Sequence, residues 1–349
     1  MKKDITIYDI AENIGVSPTT VSRALSNHPR VKEKTKKKIF EAAQKLGYQS
    51  NIFATNLRRK HTFNIGVIVP RLNSPFQSSA LSGMEKVASE AGYNLVISQS
   101  LESMEKEVAN VKTMFNSRVD GLIVSLAGDT EQTDHFQAFR KKEIPIVFFD
   151  RVPKQPNISG VIIDNEKAAY EATTHLLEQG CNRIAHVVGN LDINVYSDRL
   201  AGFHRALSDR GVPLKAADLM VSDLSEEAGE AVVSKLVKMK PMPDGLMVSN
   251  DYCAASCLVA LKKRGVRVPE DIALVGFNND TISRMVEPNL TTISYPGYLM
   301  GETAMKTLIL QLKSGDNSES IPKEIKVLDA ALLVRGSSKR NTNKPKEAI

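Results

Sequence analysis

The sequence is poor in cysteine: three in 349 residues, Cys181, Cys253 and Cys257. So few, and an odd number, fit a reducing compartment. Cys253 and Cys257 stand one helical turn apart with no histidine or further cysteine near them in sequence, so they read as buried thiols and no metal site is expected. No apolar run approaches the ~20 residues that span a bilayer. The N-terminal stretch is charged and amphipathic, with neither an apolar export core nor a small-residue cleavage site. A cytoplasmic protein with no membrane partner is expected. Catalytic signatures are missing too. There is no Walker A loop, no Gly-rich dinucleotide turn, no nucleophile elbow and no His-x-x-x-His zinc motif, and the six histidines are scattered. No catalytic residue and no cofactor is expected.

What is present is concentrated at the N-terminus. Residues 1–60 hold thirteen Lys/Arg against five Asp/Glu, a balance of +8, so with +6 overall the remainder carries −2. A basic head on a near-neutral body points to a polyanion, and nucleic acid fits best. In that head Thr6 is placed to cap a helix, with Asp9 three residues later. Ile7, Ile10, Ala11 and Ile14 then form one apolar helical face. Gly15 follows at the position of a left-handed cap. Ser17 can cap a second helix that begins on Pro18 and leads with Thr19, Thr20 and Ser22, then Arg23. Val21 and Leu25 face back to the first helix. Two short helices about a Gly-containing turn predict a helix-turn-helix, whose second helix enters the DNA major groove. Thr19 and Arg23 are the expected base readers, Arg23 being suited to guanine O6 and N7. A third helix is expected over about 32–46, with Ile39, Ala42, Ala43 and Leu46 buried and its lysines free to meet phosphates.

The runs Thr-Ile-Tyr-Asp-Ile-Ala, Gly-Val-Ser and Thr-Val-Ser-Arg-Ala-Leu closely resemble the N-terminus of the LacI/GalR family of bacterial transcription regulators. The resemblance implies further DNA contacts at Tyr8 and Asn27, beside Thr6 and Ser17. Residues 50–62 hold no Gly or Pro, and Asn51 could cap a short helix, marginal alone in water, over 52–59. In the family this segment is a hinge helix, paired across a dimer, that presses a leucine into the minor groove. Leu57 occupies that position here, with Asn51, Ala54 and Arg58 as accompanying contacts. Two positions depart from the family: Ser50 replaces its usual proline, and Thr55 its frequent arginine.

From Phe63 the pattern changes to short buried runs at 65–69, 95–98, 122–125, 146–149, 161–163, 184–188, 246–249, 273–276 and 291–294. Helical periodicity lies between them, as at 82–91 and 171–178. This predicts parallel sheets with right-handed crossovers, in two α/β lobes. The resemblance adds a type I periplasmic-binding-protein-like topology with three interlobe crossings, near Asp164, Tyr295 and Lys323. The expected division is therefore 1–49, an all-α head; 50–62, hinge; 63–338, a two-lobed effector-binding and dimerisation body; and 339–349, a polar tail expected to be disordered.

Polar residues at strand carboxyl ends mark a ligand cleft between the lobes. They are Asn73 after the first run, with the aromatic Phe76 close behind it, Ser125 at the end of the third, Asp150 and Arg151 after the fourth, Asn250 after 246–249 and Asn278 after 273–276. A carboxylate, amides and an arginine suit a polyhydroxylated or anionic small molecule, with the ring of Phe76 or Tyr196 against an apolar sugar face. The run Tyr196-Ser197-Asp198-Arg199-Leu200-Ala201-Gly202-Phe203 resembles the family's effector-binding segment, which makes Arg199 the effector's arginine. Asn278 stands where the family often has aspartate. A sugar-binding transport protein would explain the body but not the basic head, and a kinase or hydrolase would lack its motifs. The reading that uses the whole chain is a homodimeric repressor of a pseudo-palindromic operator on double-stranded DNA. A sugar or sugar derivative would control it, and it would meet the nucleoid when bound.

Overall fold

The computed structural model describes residues 5–48, 61–314 and 322–340. The chain divides into a unit ending at Thr62 and a unit from Phe63 onward.

The first unit contains α1 (Ile7–Ile14), α2 (Pro18–Leu25) and α3 (Glu33–Leu46). Each is too short to persist alone, so their apolar faces must be buried against one another. Ile10, Val21, Ala24 and Ile39 are fully buried at the centre of that small core, with Ala11, Ala42 and Ala43 around them. Gly15 and Gly47 terminate α1 and α3 in left-handed conformation, as their positions after the last apolar residue predict.

The second unit begins with a parallel sheet of β1 (Asn64–Val69), β2 (Asn94–Gln99), β3 (Gly121–Val124), β4 (Ile146–Phe149), β5 (Ser159–Ile163) and β11 (Ile325–Leu328). Its spatial order is β11-β5-β4-β3-β1-β2. Helices α4 (Pro75–Glu90), α5 (Met104–Asn116), α6 (Gln137–Lys141) and α12 (Gly297–Ser314) belong to this lobe. The other lobe holds β6 (Ile184–Val188), β7 (Leu219–Val221), β8 (Gly245–Val248) and β9 (Ala273–Val275), in the order β7-β6-β8-β9. Beside β9, single parallel bridges continue into the β10 segment (Thr292–Ser294), which pairs antiparallel with β12 (Ala331–Leu333). Helices α7 (Asn165–Glu178), α8 (Asn194–Asp209), α9 (Glu226–Leu236), α10 (Asp251–Lys263) and α11 (Ile282–Met285) complete it. Nearly continuous burial along β1, β3, β6 and β8 is what a parallel sheet covered on both faces requires.

The chain passes between lobes after Ile163 and again at Tyr295-Pro296, near the expected positions. The third passage is at Asp329-Ala330, not at Lys323. Residues 325–328 first add an edge strand to the first sheet, beside β5. That strand, β7 and β12 were not foreseen, because each is short and partly exposed and so has no buried apolar run to announce it. The body also runs past Ser338. Arg340, assigned to the tail from sequence, donates from its backbone N–H to Gln179, from Nε to the Pro269 carbonyl and from its terminal guanidinium nitrogen to the Asp244 carbonyl. Residues 341–349 lie outside the described residues.

Candidate DNA-reading face and interlobe site

The start of α1 is held by Asp9, whose carboxylate accepts from the Thr6 backbone N–H at 2.7 Å and from its hydroxyl at 2.6 Å. Ser17 accepts from the Thr20 N–H at 3.2 Å, and Pro18 opens α2. With both caps satisfied and Val21 and Ala24 sealed inward, α2 presents Thr19 and Arg23 to solvent, with Thr20 and Ser22 half-buried beside them. Thr20 is less available than its position suggested, because its hydroxyl lies 2.9 Å from that of Ser17. Tyr8 projects from α1, 69% exposed. Two expectations need correction. Lys36 is buried, and its Nζ donates to the Asn27 carboxamide oxygen at 2.7 Å and to Glu33 at 2.6 Å. That lysine is not free for phosphate, and the Asn27 oxygen is not free for DNA. Lys34, Lys37 and Lys38 remain exposed. Asn51, Ala54, Leu57 and Arg58, with Ser50 and Thr55, lie outside the described residues.

In the body, strand order creates the cleft. β1 is flanked by β2 and β3, and β6 by β7 and β8. Successive connections therefore leave each sheet in opposite directions, and a crevice opens at the carboxyl ends. Asp150, at the end of β4, takes a left-handed conformation (φ 59°) that turns its backbone across the crevice. Its Oδ1 accepts from the Tyr295 hydroxyl at 2.5 Å, and its carbonyl from Asn194 Nδ2 at 3.3 Å. Asn194 in turn accepts from the Val152 N–H, so this one side chain joins the lobes twice. Arg199 projects from α8 into the same centre. Its Nε donates to Asn165 at 2.9 Å and a terminal nitrogen to the Ser249 carbonyl at 2.8 Å, while the guanidinium lies 3.6 Å from the centroid of the Phe277 ring. Burial raises the Asp150 carboxyl above its ordinary value, against the pull of Arg151 and the Tyr295 hydrogen bond. Burial also lowers the Arg199 guanidinium and, helped by Arg199, brings His186 down to about 3. His186 is therefore a neutral spacer, its Nε2 3.0 Å from the Ser249 hydroxyl and its ring against Phe203.

Gly202 shows that part of the Arg199–Phe203 run serves packing. A Cβ there would stand 2.0 Å from the Glu166 carbonyl oxygen, so glycine lets α8 lie against α7.

Two cavities flank this centre. One of about 670 Å³ lies between the 126–134 and 151–155 loops of the first lobe and residues 190–194 of the second. The other, about 170 Å³, brings together Phe76, Asn278, Asp280 and Tyr295. Phe76 and Asn278 are thus joined, and Phe76 packs on Tyr295 with ring centroids 4.6 Å apart. Arg151 lines the larger cavity but is held by Glu102, at 2.5 and 3.3 Å. Asn250 departs from expectation. Its Oδ1 caps α10 at the Cys253 N–H and its Nδ2 donates to the Leu224 carbonyl, both at 2.8 Å, so its amide is used structurally. Asn73 is exposed, and Ser125 is fully buried with no hydrogen-bond partner for its hydroxyl among the described residues. The Tyr196 ring lies 5.6 Å from the Arg199 guanidinium. Sequence reading missed Asn165, Asn194, Glu102 and Tyr295 as parts of this centre. Position at a lobe crossing was the one available signal, and it pointed to Asn165 and Tyr295.

Comparison with known proteins agrees with this architecture. Residues 6–51 match the family model for bacterial regulatory proteins of the lacI family, and residues 173–338 that for the periplasmic binding protein-like domain. Catabolite control protein A of Priestia megaterium is 32% identical over 96% of this chain and the whole of that protein. Among solved structures, a lac repressor dimer bound to operator and the anti-inducer ONPF has a TM-score of 0.83 at 28% identity, covering 96% of this chain and 99% of that one. A complex of the transcriptional regulator CelR with cellobiose has a TM-score of 0.72 at 26% identity, covering 95% and 99%. The chain belongs to the LacI family of bacterial regulatory proteins. It is a DNA-binding transcription regulator.

Proposed function

We propose that this regulator is a homodimeric repressor that reads a pseudo-palindromic operator and is controlled by an uncharged polyhydroxylated effector, a sugar or sugar derivative, bound between its lobes. The observation that carries this is the solvent-facing polar start of α2, capped at both sides of its turn and backed by its own core. Thr19 and Arg23 are its base-reading residues, and Tyr8, Thr6, Ser17 and Ser22 lie beside them for phosphate or groove contact. One head spans a short half-site, and two-fold protein symmetry matches a two-fold operator. The body offers a surface for that symmetry: β2 is an edge strand, with Val96 and Ile97 exposed on it and Leu72 and Leu101 exposed nearby.

An uncharged effector is favoured because the cleft's arginines are already committed, Arg151 to Glu102 and Arg199 to Asn165 and the Ser249 carbonyl. The larger cavity is meanwhile lined by four carboxylates, Asp129, Glu131, Asp134 and Asp192, against two cations, Lys154 and the Glu102-bound Arg151, which leaves its rim net acidic. Such a rim repels a phosphate and accepts hydroxyls. The test is selection of bound duplexes from a random library by the full chain, followed by operator-affinity measurements with a panel of sugars and their phosphates. A two-fold-symmetric sequence whose affinity an uncharged sugar shifts is the expected result. No sequence preference, or a response to sugar phosphates alone, overturns it.

A further inference from the structure

The middle of the interlobe plane is occupied by the protein itself. Tyr295 sits on the segment that joins β10 of one lobe to α12 of the other, and its buried side chain touches both. On the first-lobe side its hydroxyl donates to Asp150 Oδ1 at 2.5 Å and its ring packs on Phe76. On the second-lobe side the same ring lies 6.1 Å from that of Phe277 and 5.6 Å from the Arg199 guanidinium. A hydroxyl on a carboxylate and an apolar face against an aromatic ring are the two contacts by which a cleft of this composition would hold a sugar. We propose that Tyr295 is a built-in occupant of the effector site, its phenol standing where a bound polyol would place a hydroxyl on Asp150, and that it latches the lobes together before any small molecule arrives.

This deepens the effector reading given above and rests on it for the word effector; the latch itself does not. An incoming polyol has to take Asp150 from the phenol. Because the tyrosine lies on a segment that crosses between the lobes, its displacement moves the connection between them directly. Burial and the neighbouring Asp150 charge both hold the phenol proton on, so the donor is permanent over the whole working pH range.

The Val152 N–H reports the latch, since it donates across the lobes to Asn194. In the full chain, without DNA or sugar, hydrogen exchange of the peptide carrying that amide is compared with exchange in the β8 core. Tyr295→Phe keeps the ring and loses only the hydroxyl. It should speed exchange at Val152 about tenfold, as expected when a hydrogen bond to a charged group is lost, and leave β8 unchanged. Tyr295→Ala should speed it further, and added p-cresol should slow it again in a dose-dependent way, with toluene doing less. If Tyr295→Phe leaves Val152 exchange at the wild-type rate, the latch is wrong. It is equally wrong if a folded Tyr295→Ala protein loses melting temperature without faster Val152 exchange, or gains nothing from p-cresol. None of these readouts involves operator or sugar, so the latch can fail while the effector reading stands, and the reverse.

Discussion

Asp251 shows how a single residue can set a pH dependence. It is fully buried at the start of α10, where its carboxylate accepts from the Thr292 hydroxyl and the Asp280 N–H, both at 2.8 Å. A Cβ at position 276 would lie 2.2 Å from its Oδ1, so glycine there keeps the pocket open. Burial raises its pKa to about 7. Between the ordinary value near 4 and 7 the folded protein then binds a proton the unfolded chain does not, so this group's stabilising effect is lost as pH rises through that window. Relative to Asp251→Asn, the wild type should lose ~1.4 kcal/mol per pH unit across it, measured by urea unfolding at pH 5 and 7. Arg199 makes a second case. Arg199→Ala removes the partners of Asn165 and the Ser249 carbonyl and empties the face of Phe277, so it should cost about 3 kcal/mol in a urea titration as well as the effector response. Retained stability would mean its buried bonds contribute little. Asp150 was legible in the sequence because charge at a strand end has few uses, and Arg199 because its run, inside what becomes α8, resembles the family's effector-binding segment. Tyr295 was not, because an aromatic beside a proline reads equally well as core.

At the scale of elements, the head was the most legible part, since caps, turn glycine and apolar spacing all act within a few residues. What sequence could not supply was the lysine that turns inward. Lys36 is one of five lysines between residues 32 and 38, and only its contact with Asn27 across the α2–α3 turn distinguishes it. The consequence for DNA binding is specific. Lys37→Ala should lower the salt slope of operator binding by about one, as loss of a phosphate contact does. Lys36→Met should leave that slope unchanged while lowering the head's melting temperature. Anisotropy titrations over a range of salt concentrations separate the two. In the body, the long buried strands were visible as apolar runs. β7, β11 and β12 were not, because edge pairing stabilises a strand that carries little apolar burial of its own.

For the whole molecule, two lobes were foreseeable from the number of buried runs, but the third crossing was displaced because sequence gives no sign that a strand changes sheet. The exposed edge of β2 has a consequence for assembly. If the protein is the dimer we propose and β2 lies in its interface, Ile97→Lys should shift it toward monomer in sedimentation and weaken operator affinity at low protein concentration, with little change in melting temperature, since Ile97 is 42% exposed. A dimer that sediments unchanged would place the symmetry surface elsewhere.

Residues 325–333 supply the outer strand of one sheet and a strand beside β10 in the other lobe. A polypeptide emerging from a ribosome therefore cannot complete either lobe until this stitch has been made. The three helices of the head draw on contacts within their own forty-odd positions and can close long before. During synthesis, the part that grips DNA is finished for a time while the effector-binding body is still incomplete.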